Sequence, residues 1–210
     1  MHKLTVLFFC LTAGAFAQQW NLGVLGGFAY APTLTVTNGS ATASSGFRNG
    51  PVLGAFFGED NAGHWGGEVR YLYRGSDLTL TSGSVNTRFT AHSQLVHYDF
   101  LFYPTSTRES RVRPFAAFGA GMRFVQATGV ESATQPLGRF AALTATRESL
   151  PTGDFGLGVK VQLTSKAQLR FEARDYLSPA PEKVIATAPG ARTSGWLNDV
   201  MGIASIAYSW

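Results

Sequence analysis

The sequence predicts an all-β fold, an eight-stranded antiparallel up-and-down β-barrel that crosses a membrane, and three observations lead to it. The first is composition. Of 210 residues, 45% are hydrophobic and only 14% charged, with 24 glycines and 13% aromatics, whereas soluble domains carry about 25% charged residues. A chain so poor in charge suits a sheet with one face in lipid. The second is the lack, beyond residue 17, of any run of about 18 apolar residues that could form a membrane-crossing helix. Hydrocarbon tolerates only helices and closed barrels, because nothing else satisfies every backbone N–H and C=O. The third is a recurring pattern of alternating apolar and polar residues in segments separated by polar turns. Each segment is weak evidence alone, and the repetition is the signature of membrane strands.

Residues 1–17, MHKLTVLFFCLTAGAFA, read as a signal peptide. Lys3 supplies the positive start, Leu4 to Leu11 the apolar stretch, and Ala15-Phe16-Ala17 a small-x-small cleavage site. Cleavage is expected after Ala17, which leaves 18–210 as the barrel domain. Export of a barrel of this kind implies the cell outer membrane of a Gram-negative-type envelope. Cys10, the single cysteine, follows Phe8 and Phe9 where a lipoprotein signal wants small residues, so it is read as part of the signal. The mature chain then has no disulfide, thiolate nucleophile or cysteine-ligated metal.

The strands are expected near 20–31, 47–58, 64–76, 87–103, 112–126, 152–163, 167–177 and 196–210. An even number puts both termini on the periplasmic side. The connections 59–63, 104–111 and 164–166 are short, and 32–46, 77–86, 127–151 and 178–195 are long. Short periplasmic turns and longer outer connections are the usual asymmetry. The long ones are rich in Thr, Ser, Ala, Gly and Pro, a composition that predicts mobile surface loops rather than packed structure. A soluble barrel such as a lipocalin is the competing fold, but its outer face would carry more charge.

Alternation separates two chemistries. In the third segment Trp65, Gly67, Val69, Tyr71 and Tyr73 oppose Glu68, Arg70, Leu72 and Arg74; in the seventh, Leu169, Phe171 and Ala173 oppose Gln168, Arg170, Glu172 and Arg174. A charge facing lipid costs roughly 2–4 kcal/mol at mid-bilayer, so the apolar face must be the lipid face. Glu68, Arg70, His97, Asp99, Arg123, Lys160, Arg170, Glu172, Arg174 and Asp199 should therefore point inward. Eight strands enclose a space that side chains can fill, and charges buried there must pair. With His97 neutral the ten hold five basic and four acidic groups, near balance, which favours a filled lumen over a selective pore. Two aromatic belts are expected at the interfaces: Trp20, Trp65, Tyr103 and Trp210 at the periplasmic end, and Tyr30, Tyr73, Phe89, Tyr176 and Trp196 at the outer end.

The last segment alternates Val200, Gly202, Ala204, Ile206, Tyr208 and Trp210 on one face. Ile206, Tyr208 and the terminal Trp210 resemble the signal read by barrel-assembly machinery, although most such signals end in Phe. Arg113-Pro114-Phe115-Ala116-Ala117-Phe118-Gly119-Ala120-Gly121, Gly156-Leu157-Gly158-Val159-Lys160 and Leu169-Arg170-Phe171-Glu172-Ala173-Arg174-Asp175-Tyr176 resemble the eight-stranded family typified by the membrane domain of outer-membrane protein A. That resemblance implies the fold and no activity. The family's peptidoglycan-binding domain is not expected, since the sequence stops at Trp210.

Enzymatic candidates are few. Some small outer-membrane barrels modify lipid A with Ser and His, and the mature histidines here are His64, His92 and His97. His92 falls on the lipid side, but its same-face neighbours are Thr90 and Gln94, with no nucleophile or orienting acid. Asp60, Asn61 and His64 read as a polar hairpin turn rather than a metal site. No cofactor is expected. The 17 basic residues are scattered, which argues against nucleic acid as a partner, and a pI near 9.4 hints at anionic lipid headgroups. The expected role is structural or surface-interacting, by a monomer whose partners are outer-membrane lipids and, during biogenesis, the assembly machinery. A narrow porin-like channel is the alternative, adhesion through the long connections a third reading, and a lipid-modifying enzyme the least favoured.

Overall fold

A computed structural model describes residues 19–61, 63–105 and 110–210. The signal peptide and its cleavage site lie outside the described residues. The chain runs β1 (Gln19–Tyr30), β2 (Leu34–Asn38), β3 (Ala41–Phe47), β4 (Gly50–Asp60), β5 (Trp65–Gly75), β6 (Leu78–Ser82), β7 (Val85–Phe89), β8 (Ala91–Phe102), β9 (Val112–Ala127), β10 (Ala141–Leu143), β11 (Arg147–Gln162), β12 (Ala167–Ser178), β13 (Ile185–Thr187), β14 (Ala191–Ser194) and β15 (Leu197–Ser209). Eight of these close into an antiparallel barrel in the order β1-β15-β12-β11-β9-β8-β5-β4. Closure is sealed at the periplasmic end by a reciprocal pair: Trp20 N–H donates to Trp210 C=O at 3.1 Å, and Trp210 N–H to Trp20 C=O at 3.1 Å.

Period 2 decides the two faces of each barrel strand. In β15, Val200, Ile206, Tyr208 and Trp210 stand outward and exposed, while Asp199, Met201, Ile203 and Ala207 are buried. β5 shows the same division, with Val69, Tyr71 and Tyr73 outward and Glu68, Arg70, Leu72 and Arg74 inward. The periplasmic belt is in ring contact: Trp20 stacks on Phe57 at 5.2 Å and Tyr208 on Trp210 at 6.0 Å, and Trp65 lies tilted against Phe102 at 5.1 Å between ring centroids. Three expected belt members are corrected. Tyr103, Tyr176 and Phe89 are buried, because their positions share parity with inward residues. Tyr176 continues Arg170, Glu172 and Arg174, and Phe89 continues Ala91 and Ser93.

The long connections are in large part built into sheets. β2, β3, β6, β7 and β14 form a five-stranded sheet in the order β14-β2-β3-β6-β7, and β10 pairs with β13. The five-stranded order repeats the barrel order β15-β1-β4-β5-β8, so five of the eight wall strands are prolonged outward. Two hairpins in it turn on Gly39-Ser40 and Gly83-Ser84, where the glycines take φ of 61° and 57°. A left-handed residue in a two-residue turn matches the twist of the flanking strands, and glycine meets no steric penalty there. The inner side of this extension carries a second core. Leu34, Val36, Phe47, Leu78, Leu80 and Phe89 pack with Phe140, Leu143, Val184 and Ile185, and with Ala91, Val125, Leu150 and Leu197 from the outer ends of the barrel strands. The expectation of mobile loops fails because it weighed Thr, Ser and Gly and passed over this apolar set. Strand limits move accordingly. The expected 87–103 strand divides at Thr90 into β7 and β8, and β11 begins at Arg147 rather than 152.

A charged lumen as the candidate functional site

All ten residues expected in the lumen are buried inside the barrel. The structure adds Asp60, Arg74, Arg113 and Asp154 to them, giving seven basic and six acidic groups besides His97 among the described residues. They lie in three tiers along the axis.

At the periplasmic end Asp60 takes Lys160 Nζ at 2.8 Å and the Tyr103 hydroxyl at 2.5 Å, with Arg113 at 3.9 Å. Arg113 also lies over the Tyr103 ring, 3.6 Å from its centroid. Asp60, expected at a hairpin turn, is instead the last inward position of β4.

The middle tier is the densest. Arg70 meets Glu68 at 2.5 Å and Glu172 at 2.9 Å; Arg170 meets Glu68 at 2.7 Å and Glu172 at 3.2 Å. Arg174 reaches four carboxylates: Asp99 at 2.9 Å, Asp154 at 2.8 Å, Glu172 at 2.8 Å and Glu68 at 3.2 Å. His97 Nδ1 sits 2.6 Å from Asp99 and 3.4 Å from Asp154. The Arg170 guanidinium is bracketed by the Phe56 and Phe115 rings, at 4.4 and 5.1 Å. Planar guanidiniums suit this role because their five donors can serve several carboxylates at once. The outer tier is Asp199 held between Arg74 at 2.6 Å and Arg123 at 2.7 Å. Above it lies the apolar core of the outer sheets.

Inward glycines make room for these groups. A Cβ at Gly119 would overlap the Asp99 carboxylate and lie 2.8 Å from that of Asp154, and one at Gly156 would meet Arg174 Cδ at 2.6 Å. The network thus depends on missing side chains as much as on charged ones.

His97, Asp99 and Asp154 bring nitrogen and oxygen atoms within 4.8 Å of one another, a donor set that could hold a cation. Arg174 already bridges the two carboxylates and supplies positive charge there, so the trio belongs to the ion-pair network. His92 lies elsewhere, against Tyr73 at 5.8 Å on the outer wall. Its cross-strand partners are Gly75 and Gln126, neither of them a nucleophile or an acid. Ile206, Tyr208 and Trp210 are each about half exposed on the lipid face. Arg74, Asp154 and Arg113 were legible from alternation alone, since each shares parity with a residue assigned inward.

Comparison with solved structures agrees with this architecture. Neisserial surface protein A aligns over 91% of this chain and 97% of its own, at 7% identity and a TM-score of 0.54. OprG from Pseudomonas aeruginosa aligns over 90% and 95%, at 14% identity and a TM-score of 0.54. AlkL, determined in lipid bilayers, aligns over 95% and 93%, at 12% identity and a TM-score of 0.53. At such identities the likeness is one of fold. No curated protein sequence matches the chain. The family model described as outer membrane protein beta-barrel domain matches residues 4–182. With an eight-stranded antiparallel barrel, an apolar outer wall and a charge-filled interior, this chain belongs to the outer membrane β-barrel protein family.

Proposed function

We propose that the protein is a non-conducting, non-enzymatic barrel that serves the outer membrane as a structural and surface-interaction protein. The observation that carries this reading is the filled lumen. Arg70, Arg123, Arg170, Asp99 and Asp199 have no exposed surface, and an ion would have to displace paired charges in every tier. Breaking one buried pair costs about 3–5 kcal/mol, so a continuous water path is not open in the resting barrel. What remains accessible is the outer wall and the folded extension above it. Outer-membrane lipids are then the standing partners, the protein acts as a monomer, and Ile206, Tyr208 and Trp210 are presented to the assembly machinery.

Planar-bilayer recording of the purified full chain tests the reading. Electrical silence is expected across a voltage ramp. Steady, discrete channels that change size in Arg123→Ala would overturn it in favour of a narrow pore.

A further inference from the structure

The outer face of the five-stranded extension has a composition unlike the rest of the molecule. One cross-strand row, from β14 to β7, reads Ser194, Thr35, Ser44, Thr81 and Asn86. Every member offers a hydroxyl or an amide, and the Asn86 amide donates to Thr81 Oγ1 at 2.7 Å. At about 4.8 Å per strand the row is roughly 19 Å wide. Neighbouring rows pair Arg192 with Thr37 and Thr79 with Arg88. No carboxylate stands in these rows, and neither Arg88 nor Arg192 has an ion-pair partner among the described residues. Arg48, at the foot of the face, has only a loose 3.7 Å contact to Asp77 with half its side chain exposed.

The position of this face is as telling as its chemistry. From β7 into β8 the outward positions run Arg88, Thr90, His92, Gln94, Val96, Tyr98; from β14 into β15 they run Arg192, Ser194, Trp196, Asn198, Val200. Along these two strand pairs the alternation does not break where the barrel ends, and β2 and β3 rejoin the same face after a one-residue shift at Pro32-Thr33 and at Arg48-Asn49. The hydroxyl face is therefore the upward continuation of the lipid-facing wall, directly above Tyr30, Tyr73 and Trp196. Five residues of β2 at ~3.3 Å each carry it roughly 15 Å past the apolar wall. Two grooves open along this boundary, one of 390 Å³ between Arg48, Tyr73 and His92 and one of 450 Å³ between Tyr30, Arg48 and Thr79.

We propose that this face binds the phosphorylated sugar headgroups of the glycolipid forming the outer leaflet of the surrounding membrane. A molecule at that height beside the wall meets Arg88 and Arg192, which have no carboxylate partner among the described residues, and Arg48, which has only the loose contact to Asp77; this suits phosphate, and a sheet of hydroxyls suits sugar. The boundary grooves lie where a headgroup meets its acyl chains. The inference deepens the reading that the outer surface is the working part of the protein, and it rests on the family's outer-membrane location.

The test uses the folded full chain in phosphatidylcholine nanodiscs, titrated with a short-chain lipopolysaccharide carrying two phosphates. Trp196 lies on this face, and the other three tryptophans lie at the opposite end, so its emission reports occupancy; Trp196→Phe should abolish the signal. Arg88→Gln with Arg192→Gln should raise the half-saturating concentration at least about fivefold, because two charge-assisted contacts are lost. Lys183→Gln, a surface change away from this face, should leave it within about twofold. Dephosphorylated glycolipid should bind wild type as weakly as intact glycolipid binds the double variant. Equal binding by wild type and the folded double variant overturns the proposal, as does equal response to phosphatidylglycerol. Tighter arginine-dependent binding of free heparin reassigns the face to a soluble anionic polysaccharide. Planar-bilayer conductance of the same protein preparation separates the two readings, since a silent barrel that ignores glycolipid removes this inference alone.

Discussion

Replacing Arg174 with Met removes the most connected cation in the lumen while keeping a side chain of similar length. Its four carboxylate contacts, at 2.8 to 3.2 Å, are not equally dependent on it. Glu68 and Glu172 each keep Arg70 and Arg170. Asp154 keeps only His97 at 3.4 Å, and Asp99 keeps His97 and a 3.7 Å approach of Arg70. With His97 neutral, the middle tier has three arginines against four carboxylates, a charge of −1; the variant takes it to −2. Four hydrogen bonds to charged groups have a gross value of roughly 6–12 kcal/mol. The desolvation of Arg174 is relieved at the same time, so the net loss should be about 3–5 kcal/mol. The damage centres on the two carboxylates above Gly119, which gives a specific rescue: Asp154→Asn in the Arg174→Met background should recover about 1–3 kcal/mol, because a buried uncompensated charge is removed. Urea unfolding in lipid vesicles, followed by tryptophan emission, measures both, and gel mobility with and without heating confirms the folded barrel. A single variant within about 0.5 kcal/mol of wild type, the range of a neutral surface change, would refute the claim that the tier is held by paired charge. So would an Asp154→Asn that worsens the defect.

Two further outcomes follow from the two faces and the outer core. Val24, outward at mid-strand and 62% exposed, should cost roughly 2–4 kcal/mol as Arg in vesicle unfolding, and a loss under about 0.5 kcal/mol would count against its lipid-facing position. Phe140, fully buried in the outer core, should cost about 3–5 kcal/mol as Ala. Limited proteolysis should then cut the extension first and leave a heat-modifiable barrel.

The barrel was legible because lipid imposes one rule on every strand. Outward positions such as Val24, Leu53, Val69 and Leu157 must be apolar, so a charge on the alternate position reads as inward with little else to consult. That rule puts Arg70, Asp99 and Arg174 on the inward side, and all three are buried. Where other assignments went astray, a local cue outweighed it. Tyr103 and Tyr176 were read as interface aromatics for their chemistry, yet parity puts both inside, where the Tyr103 hydroxyl serves Asp60. Asp60 was read as turn because of the Asn and Gly that follow. The outer sheets are a different matter, since water imposes no such rule on strands of three to seven residues. Their inner face mixes Leu34 and Val36 with Ala43 and Ser45, and the core that justifies them draws on Phe140 and Ile185, which come far later in the chain. The two Gly-Ser turns flanked by alternating residues were the available signal. Partner register between segments so far apart is not written in either one.

The line where the first strand meets the last has a bearing on how the barrel is put together. Inward residues along β1 are Asn21, Gly23, Leu25, Gly27 and Ala29, and β15 faces them with Met201, Ile203, Ser205, Ala207 and Ser209, Asp199 alone carrying charge near the outer rim. Asn21 is capped there by the Ser209 hydroxyl at 2.6 Å and the Gln168 amide at 2.8 Å. Nearly all the ionic cross-ties therefore belong to the arc from β4 to β12. That arc holds the partners of its periplasmic and middle tiers within itself, leaving Arg74 and Arg123 to meet Asp199 of β15, and the closing step joins two edges that carry one charge between them. The final zippering then brings together backbone edges whose single ion lies near the outer rim, so the seam can part without dismantling the periplasmic and middle tiers.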